Sequence, residues 1–226
     1  MTNDGKVFFT SFLSYIFKSI DGGSNFVNTP ITGESSDIFF IDNNIGYCVT
    51  RENFIYNTVD GGLTWTKITT TGISASSDYS TLSCLNNTTA WIASTNRIYK
   101  TIGSYSSWQL VNVNGGTSPV NFTSIYATSA STIYAGGNAE IFKSTDGGVN
   151  FSFIKKLDNQ GFTDIHFFND QVGYASVNRS IYKTTDGGLN WSKVVSLGQG
   201  YLVELHFTDA NHGWACADST VLIFKQ

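Results

Sequence analysis

Charged side chains and proline are scarce in this chain. Asp, Glu, Lys and Arg make up 13% of its 226 residues, about half the usual share, and proline occurs twice. No apolar run approaches the ~18 residues that a spanning helix needs, and three cysteines are too few for a disulfide scaffold. A net charge of −4 gives no sign of a surface for nucleic acid. These shortages exclude a membrane-spanning, a disulfide-stapled and a nucleic-acid-binding protein.

Glycine and aromatic residues are abundant instead. The chain has 22 glycines, and 15% of its residues are Phe, Trp or Tyr, which excludes intrinsic disorder. Frequent glycine with many aromatics is typical of numerous short strands joined by tight turns. No window shows a sustained 3.6-residue apolar period, so we predict no helix.

A short box of residues recurs along the chain. Four copies carry Ser or Thr, then Asp-Gly-Gly, then Trp or Phe, and a fifth copy at Thr101–Trp108 keeps only the outer Thr and Trp. The central positions, 21, 60, 103, 146 and 186, recur about every forty residues. The four complete copies are Ser19–Phe26, Thr58–Trp65, Ser144–Phe151 and Thr184–Trp191. The chain is therefore a repeat protein.

Each unit reads as four short strands, which we label A to D, with the box as the turn between C and D. Strand C ends in an aromatic residue and Lys or Asn before each box, as in Ile181-Tyr182-Lys183. Strand B carries an aromatic residue such as Tyr174, and strand A begins ten residues earlier, as at Asp164. A unit of this kind predicts an all-β protein, a β-propeller of four-stranded blades.

Counting the units leaves the closure of the ring open. Strands B and C occur six times but A and D only five, because the chain begins with strand B and ends with strand C. We expect one propeller domain over residues 1–226, with five or six blades. Two interpretations remain: a piece of a longer propeller, or a ring that closes through an irregular seam.

The boxes are predicted to be structural. Asp side chains accept hydrogen bonds from backbone N–H groups nearby in sequence, and the glycine pair permits a tight turn. Each box offers a single carboxylate, which disfavours calcium binding or acid catalysis. The residues assigned this role are Asp21, Asp60, Asp146, Asp186, Trp65, Trp108 and Trp191.

The motif Ser/Thr-x-Asp-x-Gly-x-Thr/Asn-Trp/Phe resembles the Asp-box (BNR) repeat of the sialidase-like propeller superfamily. The longer pattern, Val-Gly-Tyr-Ala at 172–175 leading into Ile-Tyr-Lys-Thr-Thr-Asp-Gly-Gly at 181–188, is similar to the repeats of photosystem II stability/assembly-factor-like proteins, many of them bacterial. The resemblance covers essentially the whole chain. It implies a propeller fold but no single function, because glycosidases, sorting receptors and assembly factors share it.

The resemblance places binding or catalysis on the rim formed by the D–A and B–C loops. The three arginines, Arg51, Arg97 and Arg179, all fall in B–C connections. They could form a cationic cluster for a carboxylate or another anion. They stand at different positions of the loop, however, so solvated turns are the favoured interpretation.

A second constellation lies on consecutive A strands. Asp164 and His166 match Glu204 and His206 in position, and residues two apart share a strand face. Two carboxylates with two imidazoles could bind a divalent metal or act as acid and base. Other units hold unrelated residues at these positions, which favours a structural interpretation, and we predict neither a catalytic residue nor a metal or cofactor.

We predict a non-enzymatic scaffold for protein–protein interaction or assembly. The alternative is a glycan-binding or sialidase-like glycoside hydrolase module, although the Phe-Arg-Ile-Pro signature and a nucleophile elbow are absent. The expected partner is a protein, with a glycan as the alternative. The three cysteines, Cys48, Cys84 and Cys216, are expected to be buried free thiols.

The first six residues do not identify a compartment. Met1–Lys6 is neither a charged leader region nor the start of an apolar one. Two interpretations stay open: an exported protein whose leader is not part of this chain, and a cytoplasmic protein.

Overall fold

The computed structural model describes residues 6–10, 14–74, 78–159, 161–162, 164–198, 200–209, 212–217 and 220–225. Its regular elements are β-strands, and within these residues no helix could cross a bilayer. Contacts divide the chain into two compact units, Met1–Leu110 and Val111–Gln226.

The first unit contains three antiparallel sheets whose strands follow one another in chain order. Sheet 1 has three strands, and sheets 2 and 3 have four each. The strands are β1 (Val7–Thr10), β2 (Tyr15–Ser19) and β3 (Val27–Pro30); β4 (Ser35–Phe40), β5 (Gly46–Thr50), β6 (Ile55–Thr58) and β7 (Thr66–Ile68); and β8 (Tyr79–Asn86), β9 (Thr89–Ser94), β10 (Arg97–Ser104) and β11 (Ser107–Leu110).

The second unit also contains three sheets. Sheet 4 has four antiparallel strands and an added parallel strand, sheet 5 has four strands and sheet 6 has three. The strands are β12 (Asn112–Asn114), β13 (Phe122–Ala127), β14 (Ile133–Gly137), β15 (Glu140–Ser144) and β16 (Asn150–Lys156); β17 (Asp164–Phe167), β18 (Gly173–Val177), β19 (Ser180–Thr184) and β20 (Ser192–Ser196); and β21 (Leu202–Asp209), β22 (His212–Ala217) and β23 (Thr220–Lys225).

These sheets confirm the predicted all-β repeat. Sheets 2 to 5 each contain strands A to D in antiparallel order, and sheets 1 and 6 contain B–C–D and A–B–C. The A strands of consecutive sheets are neighbours within each unit, β4 beside β8 and β13 beside β17 beside β21. Strand A is therefore innermost in each stack of sheets, and strand D is outermost.

Aromatic rings fill the space between neighbouring sheets. In the second unit Tyr134 of strand B stacks on Phe167 of the next strand A, with ring centroids 3.7 Å apart. Trp191 from the box then meets Phe167 edge-on at 6.0 Å. Tyr174 and Phe207 repeat the stack one sheet further, at 4.5 Å. Each sheet thus buries its aromatic face against the next sheet.

The burial of the B strands differs between sheets, and one of the three cysteines is not buried as expected. Strands β5, β14 and β18 are buried along their whole length. Strand β22 instead alternates between exposed and buried residues, so one of its faces lies at the surface. Cys48 and Cys84 are buried free thiols as predicted, whereas Cys216 in β22 is exposed.

Candidate functional site

The box turns hold their own carboxylates. In the box of sheet 4 the Ser144 hydroxyl donates to Asp146 Oδ1 at 2.8 Å, and the backbone N–H of Gly148 donates to Ser144 Oγ at 2.8 Å. The backbone and side-chain N–H groups of Asn150 donate to the two Asp146 oxygens at 3.0 and 2.7 Å. These bonds, led by that from the Asn150 side chain, hold the pKa of Asp146 well below its ordinary value.

The same bonds recur in the other complete boxes. Ser or Thr at the first position donates to the Asp carboxylate at 2.6 Å for Asp21, 2.7 Å for Asp60 and 2.9 Å for Asp186. The pKa of each of these carboxyl groups is likewise lowered by hydrogen bonds. The carboxylate oxygens therefore accept hydrogen bonds from within their own turns.

Tryptophans close three of the turns. The indole N–H of Trp191 donates to the Gly188 carbonyl at 2.9 Å, and that of Trp108 donates to the Tyr105 carbonyl at 2.7 Å. Trp65 meets Phe40 edge-on with centroids 5.9 Å apart. All three rings pack against the A strand or the turn of their own sheet.

Asp164 connects its sheet to both neighbouring sheets, through one backbone and one side-chain hydrogen bond. Its Oδ2 accepts the Leu205 N–H of the next A strand at 2.9 Å, and its Oδ1 accepts the Ser124 hydroxyl of the preceding A strand at 2.8 Å. Asp37 makes the equivalent bond in the first unit, to the Leu82 N–H at 2.8 Å. Burial raises the pKa of Asp164 to about 6 against these bonds, and the Glu204 charge adds to the rise.

His166 lies among aromatic rings. Its ring centroid is 4.9 Å from Tyr126, 5.1 Å from Phe168 and 5.5 Å from Phe207. Burial, with a smaller contribution from His206, lowers the pKa of His166 to about 4, so the ring is neutral at pH 7.

The four residues of the predicted acid–histidine site, on consecutive A strands, are thus neighbours, but their side chains make different contacts. Asp164 bonds to the backbone and His166 packs with rings, while Glu204 and His206 are exposed. Among the residues that the structure describes, no three His, Cys, Asp or Glu side chains come together as metal ligands.

The arginines occupy three different positions of the B–C turn. Arg51 is exposed in the four-residue turn after β5, where its N–H donates to the Glu34 carbonyl at 3.0 Å. Arg97 is the first residue of β10. Arg179 is the second residue of the turn after β18, and its guanidinium lies 5.1 Å from the ring centroid of the exposed Tyr201.

The B–C turns and D–A connections form one rim within each sheet, as predicted. The Leu157 and Leu197 N–H groups in two D–A connections donate to the carbonyls of Ala139 and Arg179 in B–C turns, each at 2.8 Å. Glu140, the buried carboxylate that follows Ala139, accepts the N–H of Thr117, in the connection before β13, at 2.9 Å. The two sets of loops are therefore fixed to one another by hydrogen bonds.

A cavity of about 610 Å³ opens on this rim in the first unit. Its walls come from the turn after β5, the end of β7 and the D–A connection that follows. Its lining includes the side chains of Phe54, Lys67, Ile68, Ile73 and Tyr79. The Lys67 ammonium lies 3.1 Å from the centroid of the Phe54 ring. The rest of the lining is polar or charged and includes the Glu52 carboxylate, so the cavity combines apolar side chains with groups that can form hydrogen bonds.

Tyr79 gives this cavity an unusual feature. It is 1% exposed, and its hydroxyl has no hydrogen-bond partner among the residues that the structure describes. Phe122 and Leu202 stand at the same register of strand A in sheets 4 and 6, so packing alone does not require a hydroxyl there. Burial raises the pKa of Tyr79, which keeps the hydroxyl protonated and able to donate.

Sequence reasoning missed this cavity. Tyr79 stands two residues before the aligned start of strand A, and its hydroxyl distinguishes it from Phe122 and Leu202. That contrast between repeats was visible in the sequence. The shape of the cavity was not, because it depends on how the connection after β7 folds back.

No family model matches this chain, and no curated protein matches its sequence. Solved structures do match it. YCF48 from Cyanidioschyzon merolae is similar with a TM-score of 0.73 and 16% identity, over 98% of this chain and 80% of that protein. A structure of YCF48 bound to D1 peptide is similar with a TM-score of 0.71 and 16% identity, over 93% of this chain and 71% of that one.

An ancestral GH74 enzyme is similar to the same degree. Its TM-score is 0.71 at 19% identity, over 93% of this chain but only 33% of the enzyme. At these identities the matches show the fold, which is that of a β-propeller, as the repeat predicts. Because YCF48 and an enzyme match equally well, the fold alone does not assign chemistry.

Proposed function

We propose that this chain is a non-enzymatic propeller that binds a segment of a partner protein at the rim of B–C turns and D–A connections. The observation that carries the proposal is the rim cavity, in which Phe54, Ile68 and Ile73 surround Lys67 and Tyr79. A cavity that combines apolar side chains with hydrogen-bond donors suits a peptide side chain next to a backbone carbonyl oxygen. The solved YCF48 structure with D1 peptide supports a peptide ligand.

The finer assignments belong to the same proposal. The box residues Asp21, Asp60, Asp146 and Asp186 stabilise their turns, consistent with an Asp-box repeat and an assembly-factor-like role. Residues 1–226 form one propeller domain. The two YCF48 structures support this, because their matches cover 98% and 93% of this chain. Arg51, Arg97 and Arg179 add positive charge to the turns of the rim.

The second candidate is a glycan-binding or glycan-cleaving module. The structural similarity to a GH74 enzyme favours it. Against it, the described carboxylates that are best placed for chemistry, Asp164 and Glu140, accept backbone N–H groups.

Two screens separate the candidates. The wild-type protein is offered a displayed library of random peptides, and in parallel a glycan array and a fluorogenic sialoside. We expect peptides to be enriched and their binding to fall in Lys67→Ala and Tyr79→Phe, with Tyr126→Phe as the matched control outside the cavity. Glycan binding or sialoside cleavage that is lost on Arg51→Ala, Arg97→Ala or Arg179→Ala would overturn the proposal.

A further inference from the structure

The outer edges of the D strands differ between sheets 4 and 5. Strand β12 pairs in parallel with β16 and covers its edge, Asn112 to Asn114 opposite Asn150 to Ser152. Strand β20 is the last strand of sheet 5, and no described residue pairs with its outer side. An uncovered edge presents backbone N–H and C=O groups that another strand can bind.

The covered edge shows how such a strand is held. The backbone N–H of Asn112 donates to the Val149 carbonyl at 3.1 Å. Its side-chain N–H donates to Asn150 Oδ1 at 2.9 Å, while the Asn150 side-chain N–H donates to Asp146 Oδ2 at 2.7 Å. The box thus orients Asn150 so that its free oxygen receives the added strand.

The uncovered edge repeats these features. Leu189-Asn190-Trp191-Ser192 matches Val149-Asn150-Phe151-Ser152 position by position. Asn190 donates to Asp186 Oδ2 at 2.7 Å, as Asn150 does to Asp146. Strand β20 also has the bulge found in β16, at the same place relative to its box. The groups that hold β12 therefore have counterparts on β20.

The length of the preceding connection explains why one edge is covered. Residues 111–121 connect β11 to β13 and are long enough to run along β16 on the way. Residues 157–163 connect β16 to β17 and are fewer, and none of the described ones pairs with β20. Sheet 3 in the first unit lies between these two cases. There Thr71, in the connection 69–78, forms a single parallel bridge to Ser107 of β11.

The edge of β20 is also accessible. Ser192, Lys193, Val194 and Ser196 are exposed, and Leu189 beside the edge is 65% exposed. Apolar side chains next to unpaired backbone groups are what strand addition requires, since backbone bonds supply affinity and side chains supply selectivity.

We propose that the outer edge of β20 binds an extended segment of another protein as a parallel strand, in the register that β12 uses on β16. The segment carries Asn opposite Asn190, followed by a β-branched residue, as in Asn112-Val113-Asn114. This proposal rests on the proposed protein-binding function, but it uses a different surface from the rim cavity.

The test uses the acetylated peptide of residues 110–116 as the probe. It is titrated into the wild-type protein, with amide chemical shifts and hydrogen exchange as readouts. We expect saturable binding that protects the N–H groups of Trp191 and Lys193, because their counterparts Phe151 and Phe153 face β12 in the parallel register. Lys193→Pro removes one of these donors and weakens binding about tenfold, whereas Lys193→Ala keeps the donor and binds normally.

A second peptide tests the same backbone hydrogen bonds on the wild-type protein, so the test does not depend on whether the proline variant folds. The peptide with Asn114→Pro lacks the N–H that faces the carbonyl of Trp191, so it should not bind the wild-type protein. Tyr79→Phe should leave binding of the first peptide unchanged, which separates this edge from the rim cavity. Equal binding by Lys193→Pro, or no protection of Trp191 and Lys193, would overturn the proposal. So would a dimer of the wild-type chain that Lys193→Pro dissociates, because the occupant would then be a second copy.

Discussion

The ring of Tyr105 lies parallel to the ring of Tyr47, with centroids 3.6 Å apart and planes 4° apart. Tyr105 belongs to the box that lacks Asp-Gly-Gly, and it stands where the other boxes have their second glycine. In sheet 2 a Cβ on that glycine, Gly62, would meet the Phe8 ring at 2.6 Å. Sheet 3 has the small Cys84 where sheet 2 has Phe40, so the Tyr105 side chain fills the space.

Truncating Tyr105 should therefore destabilise the first unit strongly. We expect Tyr105→Ala to lower the free energy of unfolding by about 3–5 kcal/mol, because it leaves a cavity beneath Tyr47. Tyr105→Phe keeps the ring and loses the hydrogen bonds of the hydroxyl with the Asn86 carbonyl and the Cys84 side chain, so it should cost about 1 kcal/mol. Urea denaturation measures both. Equal, small effects would contradict the role of the ring.

Removing the Asp164 carboxylate should leave a buried N–H group without a partner. Asp164→Ala is expected to destabilise the second unit by about 1–3 kcal/mol, since the Leu205 N–H loses its acceptor. Asp37→Ala should do the same to the first unit through Leu82. Thermal unfolding followed by hydrogen exchange tests this. Unchanged protection of the Leu205 amide would show that the bond does not matter.

His166 should make stability fall in acid. Its pKa in the folded protein is about 4, below the ordinary 6.5, so its contribution is present above pH 6.5 and is lost as the pH falls through about 4. Asp164 has the opposite sign, because its raised pKa gives a contribution that is lost as the pH rises through about 6.

Because the two contributions oppose each other, the effect of His166 is measured by comparing a His166 variant with the wild type. As the pH falls from about 6.5 to 4, the free energy of unfolding of His166→Phe should rise relative to that of the wild type. The expected rise is on the order of 1 kcal/mol, because solvent screens part of the effect. Urea denaturation at several pH values measures it. A stability difference that does not depend on pH would mean that the His166 ring is protonated without cost.

Tyr79→Phe should stabilise the protein. The change removes a buried hydroxyl for which the described residues offer no hydrogen-bond partner, and it places there the side chain that Phe122 has in sheet 4. We expect a gain of about 1 kcal/mol in the free energy of unfolding, measured in urea. A loss of stability would indicate a partner for the hydroxyl inside the fold.

The sequence predicted the sheets well, because the boxes fix the period and the register. The Asp-Gly-Gly turn sets strands C and D, and an aromatic residue four positions before its Asp, such as Tyr182 before Asp186, marks strand C. Six repeats and their strand order followed from these positions alone.

What the sequence did not reveal depends on distant contacts. Asp164 looked like half of an acid–histidine pair, but its carboxylate is used by an N–H from the next sheet. Strand β12 was not predicted, because its three residues form a strand only through pairing with β16. Cys216 was expected to be buried like Cys48, yet its side of β22 lies at the surface.

The most direct test of the proposed function is the affinity of a library-selected peptide for the wild-type protein and for Tyr79→Phe, measured by calorimetry. The account predicts that Tyr79→Phe binds about tenfold more weakly although it is the more stable protein, and that Tyr126→Phe binds like the wild type. Equal affinity of the wild type and Tyr79→Phe would contradict peptide binding at the rim cavity.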